Sequence, residues 1–63
     1  MNVKYNFKVT FYCDVKYKEE RVSISGDFNT QIAWLDAVKQ SVITATENNM
    51  RLIKISLVNI EEE

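Results

Sequence analysis

Apolar and polar side chains alternate along the first part of the chain. Every odd position from Val3 to Tyr17 is apolar or aromatic, and most of the even positions between them are polar. Successive side chains of a strand point to opposite faces, so this alternation predicts a long strand with one side against a core. The apolar positions are Val3, Tyr5, Phe7, Val9, Phe11, Cys13, Val15 and Tyr17.

A second alternating segment, at roughly residues 20–26, predicts a strand that pairs back on the first as a hairpin. The polar segment from Lys16 to Glu20 is expected to connect the two strands. It contains no Asn-Gly or Asp-Gly pair, so the turn type stays open. Gly26, the only glycine, is expected at the end of the second strand, where it permits a bulge or a sharp exit.

From Asp27 the apolar period changes to that of a helix. Asp27, Asn29 and Thr30 offer N-cap side chains, and Asn48 and Asn49 can close the helix at its other end. A wide apolar arc is predicted on one side of this helix, against the sheet. The arc consists of Leu35, Val42, Val38, Ile32, Ala45, Ile43 and Trp34.

Alternation returns from Arg51, which predicts a third strand. The chain is therefore predicted to be one α+β domain of order ββαβ spanning residues 1–63, with a three-stranded, mainly antiparallel sheet in the order 2-1-3 and one helix packed on one face. A parallel pairing of the second and third strands through the helix is the alternative. Residues 61–63 are expected to form a frayed acidic tail. The sheet face under the helix is predicted to carry Val3, Phe7, Phe11, Val22, Ile24, Ile53 and Ile55.

The composition argues against catalysis. The chain has no histidine and a single cysteine, which excludes ordinary Ser-His-Asp and Cys-His sites, most zinc sites and an intramolecular disulfide. Cys13 lies on the apolar side of the first strand and is expected to be a small buried hydrophobe. We therefore expect no enzymatic activity, no cofactor and no metal. With 63 residues, the core is near the lower size limit for a stable domain, which favours homodimerisation.

The third predicted strand has apolar residues on both sides. Leu52, Val58 and Ile60 lie on the side opposite to Ile53, Ile55 and Leu57. A bulge that changes the alternation, a contact with a partner and simple exposure are the alternatives. Trp34, at the edge of the helical arc, is either a core residue or an interface anchor. The sequence thus predicts a small protein-interaction module, a homodimer that can also bind another protein. Its candidate interface consists of Trp34, Leu52, Val58 and Ile60.

Basic residues gather on the outward side of the predicted sheet, around an aromatic residue. The net charge of −1 gives no general attraction to nucleic acid, but local placement can still create a contact surface. A weak nucleic-acid-binding function is therefore the alternative to protein binding. Its candidate residues are Lys4, Lys8, Tyr12, Arg21 and Lys54, with Lys16 expected on the same face.

The ββαβ order and the small size resemble the general layout of small viral inhibitors of host enzymes, such as the phage inhibitors of uracil-DNA glycosylase. The resemblance covers element order only, and no functional residue is carried over from it. The small size is also typical of a phage or mobile-element accessory protein that binds or inhibits a host protein. No apolar run approaches the roughly 20 residues of a membrane span, so a cytoplasmic location without membrane contact is expected.

Overall fold

The computed structural model describes residues 2–63 and confirms the predicted ββαβ order. The elements are β1 Val3–Cys13, β2 Lys16–Gly26, α1 Thr30–Glu47 and β3 Arg51–Glu62. The three strands form one antiparallel sheet in the order β2-β1-β3, so β1 is central, and the helix contacts all three strands.

The hairpin between β1 and β2 is tighter than the sequence suggested. Cys13 is paired with Lys16, and Asp14 and Val15 form the turn with φ angles of 50° and 58°. Two consecutive positive φ values are those of a type I′ turn, whose twist matches that of the flanking strands. The predicted connection from Lys16 to Glu20 is therefore wrong, because these polar residues belong to an edge strand. Lys16 is also not on the predicted basic face. It is paired with Cys13, which is one of the helix-facing positions of β1.

Strand β3 contains two irregularities that change its alternation. Asn6 is paired with Asn59 but Phe7 with Leu57, and a second shift lies between Thr10 and Phe11. These shifts leave Val58 and Ile53 without a partner on β1, which is the geometry of single-residue bulges. The predicted inward position of Ile53 is wrong for this reason, and its side chain is half exposed. The helix-facing residues of β3 are Leu52, Ile55, Leu57 and Ile60.

The acidic end of the chain is part of the sheet. Glu61 is opposite Lys4 and Glu62 is opposite Val3, and the Glu63 N–H donates a hydrogen bond of 3.2 Å to the Asn2 carbonyl. The positive charge of Lys4 across the strand offsets the repulsion between neighbouring carboxylates. Glu61 and Glu62 are thus paired with β1 rather than frayed.

Both predicted ends of α1 are confirmed. The Asn29 side chain accepts a hydrogen bond of 3.0 Å from the Ile32 N–H, as an N-cap does. At the other end, Asn49 takes the left-handed conformation with φ 54°, and the Met50 N–H donates to the Ala45 carbonyl at 2.8 Å. This is the Schellman arrangement, in which Met50 also packs against the cluster that contains Ala45.

The side of α1 that faces the sheet differs from the predicted arc. Its buried residues recur every fourth position and are all small: Ala33, Ala37, Ser41 and Ala45. The Ser41 hydroxyl is satisfied by donating to the Ala37 carbonyl at 2.7 Å. Of the predicted arc, Ala45 is buried and Val38 is half-buried, whereas the other members are exposed. The reason is size, because the sheet supplies the large buried side chains and small helix residues allow a close approach.

The core has two adjoining parts under this small-residue side. One is built around Tyr5, Phe7 and Ile24 and the other around Val9 and Phe11. At the end of the first part, the Tyr5 hydroxyl donates to the Phe28 carbonyl at 2.6 Å and the two rings stack. The helix is roughly 27 Å long and the strands roughly 36 Å, so α1 cannot cover the whole helix-facing side.

Candidate interaction surfaces

The helix carries a row of large apolar side chains on the side away from the sheet. At 100° per residue, these positions are roughly opposite to the small buried residues of α1. Their side chains are about half exposed, with Leu35 the most exposed at 55%. We call this surface the outer helix stripe, and its apolar residues are Ile32, Leu35, Val42 and Ile43.

The four predicted interface residues do not form one surface. Leu52 is opposite Phe11 and packs against the second part of the core, whereas Ile60 is opposite Tyr5, roughly 20 Å away along β1. Val58 lies near Ile60 at the bulge, and both are exposed. Trp34 lies on α1 next to the small buried residues and keeps 41% of its surface exposed. The outer helix stripe was missed because its residues were assigned to the core.

The side of the sheet away from α1, which we call the open face, brings the predicted basic residues together. Lys4, Lys8 and Tyr12 alternate along β1 on this side. Arg21 is opposite Lys8 on β2, and Lys54 is opposite Thr10 on β3. The structure thus places all five candidate residues on one face, with positive charge on each of its three strands.

Two further residues of the open face were missed in the sequence. Tyr17 is opposite Tyr12 on β2, with ring centroids 5.1 Å apart and an edge-on arrangement. Arg51 is opposite Tyr12 on β3. Tyr17 was assigned to the connection because the predicted second strand began too late, so the aromatic pair became visible only with the tight turn.

Carboxylates reduce the basic character of the open face. Glu19 lies 3.8 Å from the Lys8 ammonium in an exposed ion pair, and Glu61 is opposite Lys4. Asn6 is buried near the end of the face that carries Lys4 and Glu61, and its side-chain amide joins the three strands. The Asn6 amide donates to the side chains of Asn59 and Glu61, and its carbonyl accepts from the Ser23 hydroxyl at 2.6 Å. This network occupies the side chains of Asn6, Ser23, Asn59 and Glu61, whereas Arg51 and Lys54 lie toward the hairpin.

An open cleft of about 540 Å³ lies between the hairpin turn and the end of α1. Cys13 borders it as a free and half-buried thiol, which corrects the prediction that this side chain is fully buried. Lys16 and Lys18 line the same cleft, together with Asn48 and Met50. Across residues 2–63, no group of three or more Cys, Asp or Glu side chains is arranged to hold a metal ion.

The one helix within residues 2–63 does not combine the length and the apolar character needed to cross a membrane. Comparisons of the chain with family models, with curated proteins and with solved structures found no match.

Proposed function

We propose that this chain is a non-enzymatic protein-interaction module that associates with a second copy of itself. The observation that carries the proposal is the outer helix stripe, a set of large apolar side chains that the fold leaves in contact with water. Contiguous exposed apolar surface commonly marks a protein–protein contact. A role as a phage or mobile-element accessory protein that binds a host protein stays a prediction from the small size of the chain.

The distribution of large side chains supports this proposal. The large apolar residues that the fold buries are few, and α1 contributes only small side chains to the core. More large apolar residues are exposed on α1 and β3 than are buried in the sheet. A domain of 63 residues has little core to stabilise it, so burial of this surface against a second copy would add stability. The exposed members on α1 and β3 are Ile32, Trp34, Leu35, Val42, Ile43, Ile53, Leu57, Val58 and Ile60.

The native mass tests this proposal. At high micromolar concentration we expect light scattering to give twice the 7.4 kDa of one chain, with dissociation on dilution. Leu35→Lys places a charge in the outer helix stripe and is expected to raise the dimer dissociation constant at least about tenfold, since a buried unpaired charge is costly.

Gln40→Lys is the matched control, because Gln40 is an exposed polar residue on the same helix and gains the same charge. It is expected to leave the dissociation constant within about twofold of the wild-type value. A wild-type mass of one chain at every concentration would contradict self-association. Equal weakening by the two substitutions would contradict the involvement of the stripe.

The cross-strand pair of Tyr12 and Tyr17 supports a second candidate function, weak binding of single-stranded nucleic acid. Aromatic rings provide stacking surfaces for bases, and in this pair Tyr17 is exposed and Tyr12 is half-buried. The neighbouring Arg51 and Lys54 supply positive charge for the phosphates. This function ranks second because Glu19 and Glu61 partly neutralise the open face.

Fluorescence anisotropy with a labelled single-stranded oligonucleotide tests the second function. We expect the association constant to fall steeply with salt because phosphate contacts release counterions. Tyr12→Ala should lower it at least about fivefold through loss of stacking. Lys18→Glu, an exposed lysine on the other side of the sheet, serves as the control and should change it much less. Binding that ignores both salt and Tyr12→Ala would exclude this face as the contact.

A further inference from the structure

Three residues of the outer helix stripe, together with Lys39, have the spacing of a helix-pairing seam. Ile32, Leu35, Lys39 and Val42 follow one another at intervals of three, four and three residues. This alternation of threes and fours keeps side chains on a single line along a helix and is the repeat by which two helices pack side by side. All four side chains are exposed, so the seam is available to a second helix.

The edges of the sheet are poorly suited to association. Strand β2 carries charged residues from Lys16 to Arg21 along one edge, including the Lys18–Glu20 ion pair at 3.4 Å. Strand β3 forms the other edge and is interrupted by the bulges at Ile53 and Val58. Charges and bulges are two ways in which proteins prevent pairing of exposed strand edges. The helix is therefore the better surface for a second copy.

Charge placement selects the direction of the two helices. A parallel pair would bring Lys39 of both copies to the same level and align the helix dipoles unfavourably. An antiparallel pair that places Ile32 against Val42 also brings Lys39 opposite Leu35 of the partner subunit. On the helix, Lys39 and Asp36 are both rotated in the same direction from the centre of the seam, each by less than a quarter turn. In the antiparallel pair, Asp36 of the partner subunit therefore lies on the same side of the seam as Lys39. Lys39 thus gains a nearby opposite charge, and Lys39 of the partner subunit lies four residues, roughly 6 Å, along the axis instead of at the same level.

We propose that two copies pack α1 against α1 in antiparallel orientation, with Ile32 of one copy against Val42 of the partner subunit and Lys39 beside Asp36 of the partner subunit. This inference rests on the proposed self-association. It adds which surface forms the contact and how the two helices are oriented. The lysine in the middle of the seam limits the number of acceptable alignments, as buried polar residues do in coiled coils.

Disulfide trapping tests the direction. In a Cys13→Ser background, Ile32→Cys and Val42→Cys variants are mixed, one of them carrying a mass tag, and oxidised at a concentration where the wild type is dimeric. The antiparallel pair places residue 32 level with residue 42 of the partner, whereas like residues are separated by roughly 15 Å along the axis. We expect the mixed disulfide to exceed each symmetric disulfide at least about tenfold.

The outcomes separate this inference from the proposal on which it rests. Predominance of the two symmetric disulfides would show a parallel pair and overturn the proposed direction. A dimeric mass without any of these disulfides, or without preference among them, would show that α1 is not paired as proposed, although self-association would stand. A wild-type mass of one chain would overturn both.

Charge exchange tests the Lys39–Asp36 contact without relying on disulfides. Lys39→Asp and Asp36→Lys are each expected to raise the dimer dissociation constant about fivefold, since the symmetric dimer contains the contact twice. The double variant is expected to return to within about twofold of the wild type. Lys16→Asp, on β2, is the control and should have little effect. A double variant as weak as the single ones would overturn the contact.

Discussion

Phe7→Ala is expected to lower the free energy of unfolding by about 3–5 kcal/mol. Phe7 is completely buried at the centre of β1, where it packs with Ile24 and with the alanines of α1. Removing the ring leaves a cavity that the close approach of the helix cannot fill, because Ala33 and Ala37 have no side-chain atoms beyond Cβ to extend into it. A domain of this length has roughly 3–9 kcal/mol in total, so the variant is expected to be largely unfolded.

Urea denaturation followed by circular dichroism and by Trp34 fluorescence measures this loss. Where Phe7→Ala is too unstable for a transition, Phe7→Leu should give a measurable but smaller loss. Tyr17→Ala is the matched control, since Tyr17 is an aromatic residue on the same sheet that is 70% exposed. Its expected cost is below about 1.5 kcal/mol, the upper value for an aromatic pair. Similar losses for Phe7→Ala and Tyr17→Ala would contradict the placement of the core.

Ala37→Leu is expected to lower the free energy of unfolding by about 1–3 kcal/mol, although leucine is among the most hydrophobic residues. Ala37 is fully buried at the contact between α1 and the sheet, so a larger side chain must push the helix away from β1. Alanine and leucine have similar helix propensities, which means that the loss reports packing rather than helix formation.

Gln40→Leu is the control for this substitution, because it adds a leucine to an exposed position of the same helix. We expect its effect on stability to be within about 0.5 kcal/mol. Both changes in stability are measured from the shift of the urea midpoint, with the slope of the unfolding free energy against urea concentration unchanged. If Ala37→Leu stabilised the protein while Leu35→Ala destabilised it strongly, the helix would have its large residues inward, as the sequence pattern suggested.

The strands were predictable because alternation has one simple cause. Along β1, odd positions face the helix and even positions face outward without interruption, so the period of two was sufficient to identify the central strand. The helix ends were predictable for a similar reason, since Asn29 and Asn49 perform local tasks that depend on few neighbours. The sheet order was predicted from the apparent length of the first strand, although in the structure β1 and β2 each have 11 residues and β3 has 12.

The orientation of the helix was not predictable from hydrophobicity. A helical wheel weights Leu35 above Ala37, whereas the choice of face also depends on how much space the sheet leaves. Phe7, Phe11 and Tyr5 fill that space, which favours alanines on α1. A helical wheel contains no information on the size of the side chains on the opposing sheet. The sequence pattern therefore predicts that the outer helix stripe faces the interior.

The remaining differences arise from single residues. The start of β2 was missed because Asp14 and Val15 are not a typical type I′ pair, although both have positive φ. A bulge in β3 is one of the alternatives that the sequence allows. The number and the positions of the two register shifts depend on the pairing with β1, which the sequence pattern does not give. The open face was predicted better, because Lys4, Lys8, Tyr12 and Arg21 lie where β1 and β2 are paired without a register shift.

The bulges of β3 also determine which of its side chains share a side. A strand without insertions presents only residues of one parity to a given side. In β3 the stretches on either side of Ile53 and of Val58 are out of phase with one another, so Leu52 and Ile60 face the helix together with Ile55 and Leu57. If Ile53 and Val58 were paired in a regular ladder, Leu52 and Ile60 would face the opposite side from Ile55 and Leu57. The two unpaired residues thus allow a sequence of mixed parity to supply four apolar side chains to one side of the sheet.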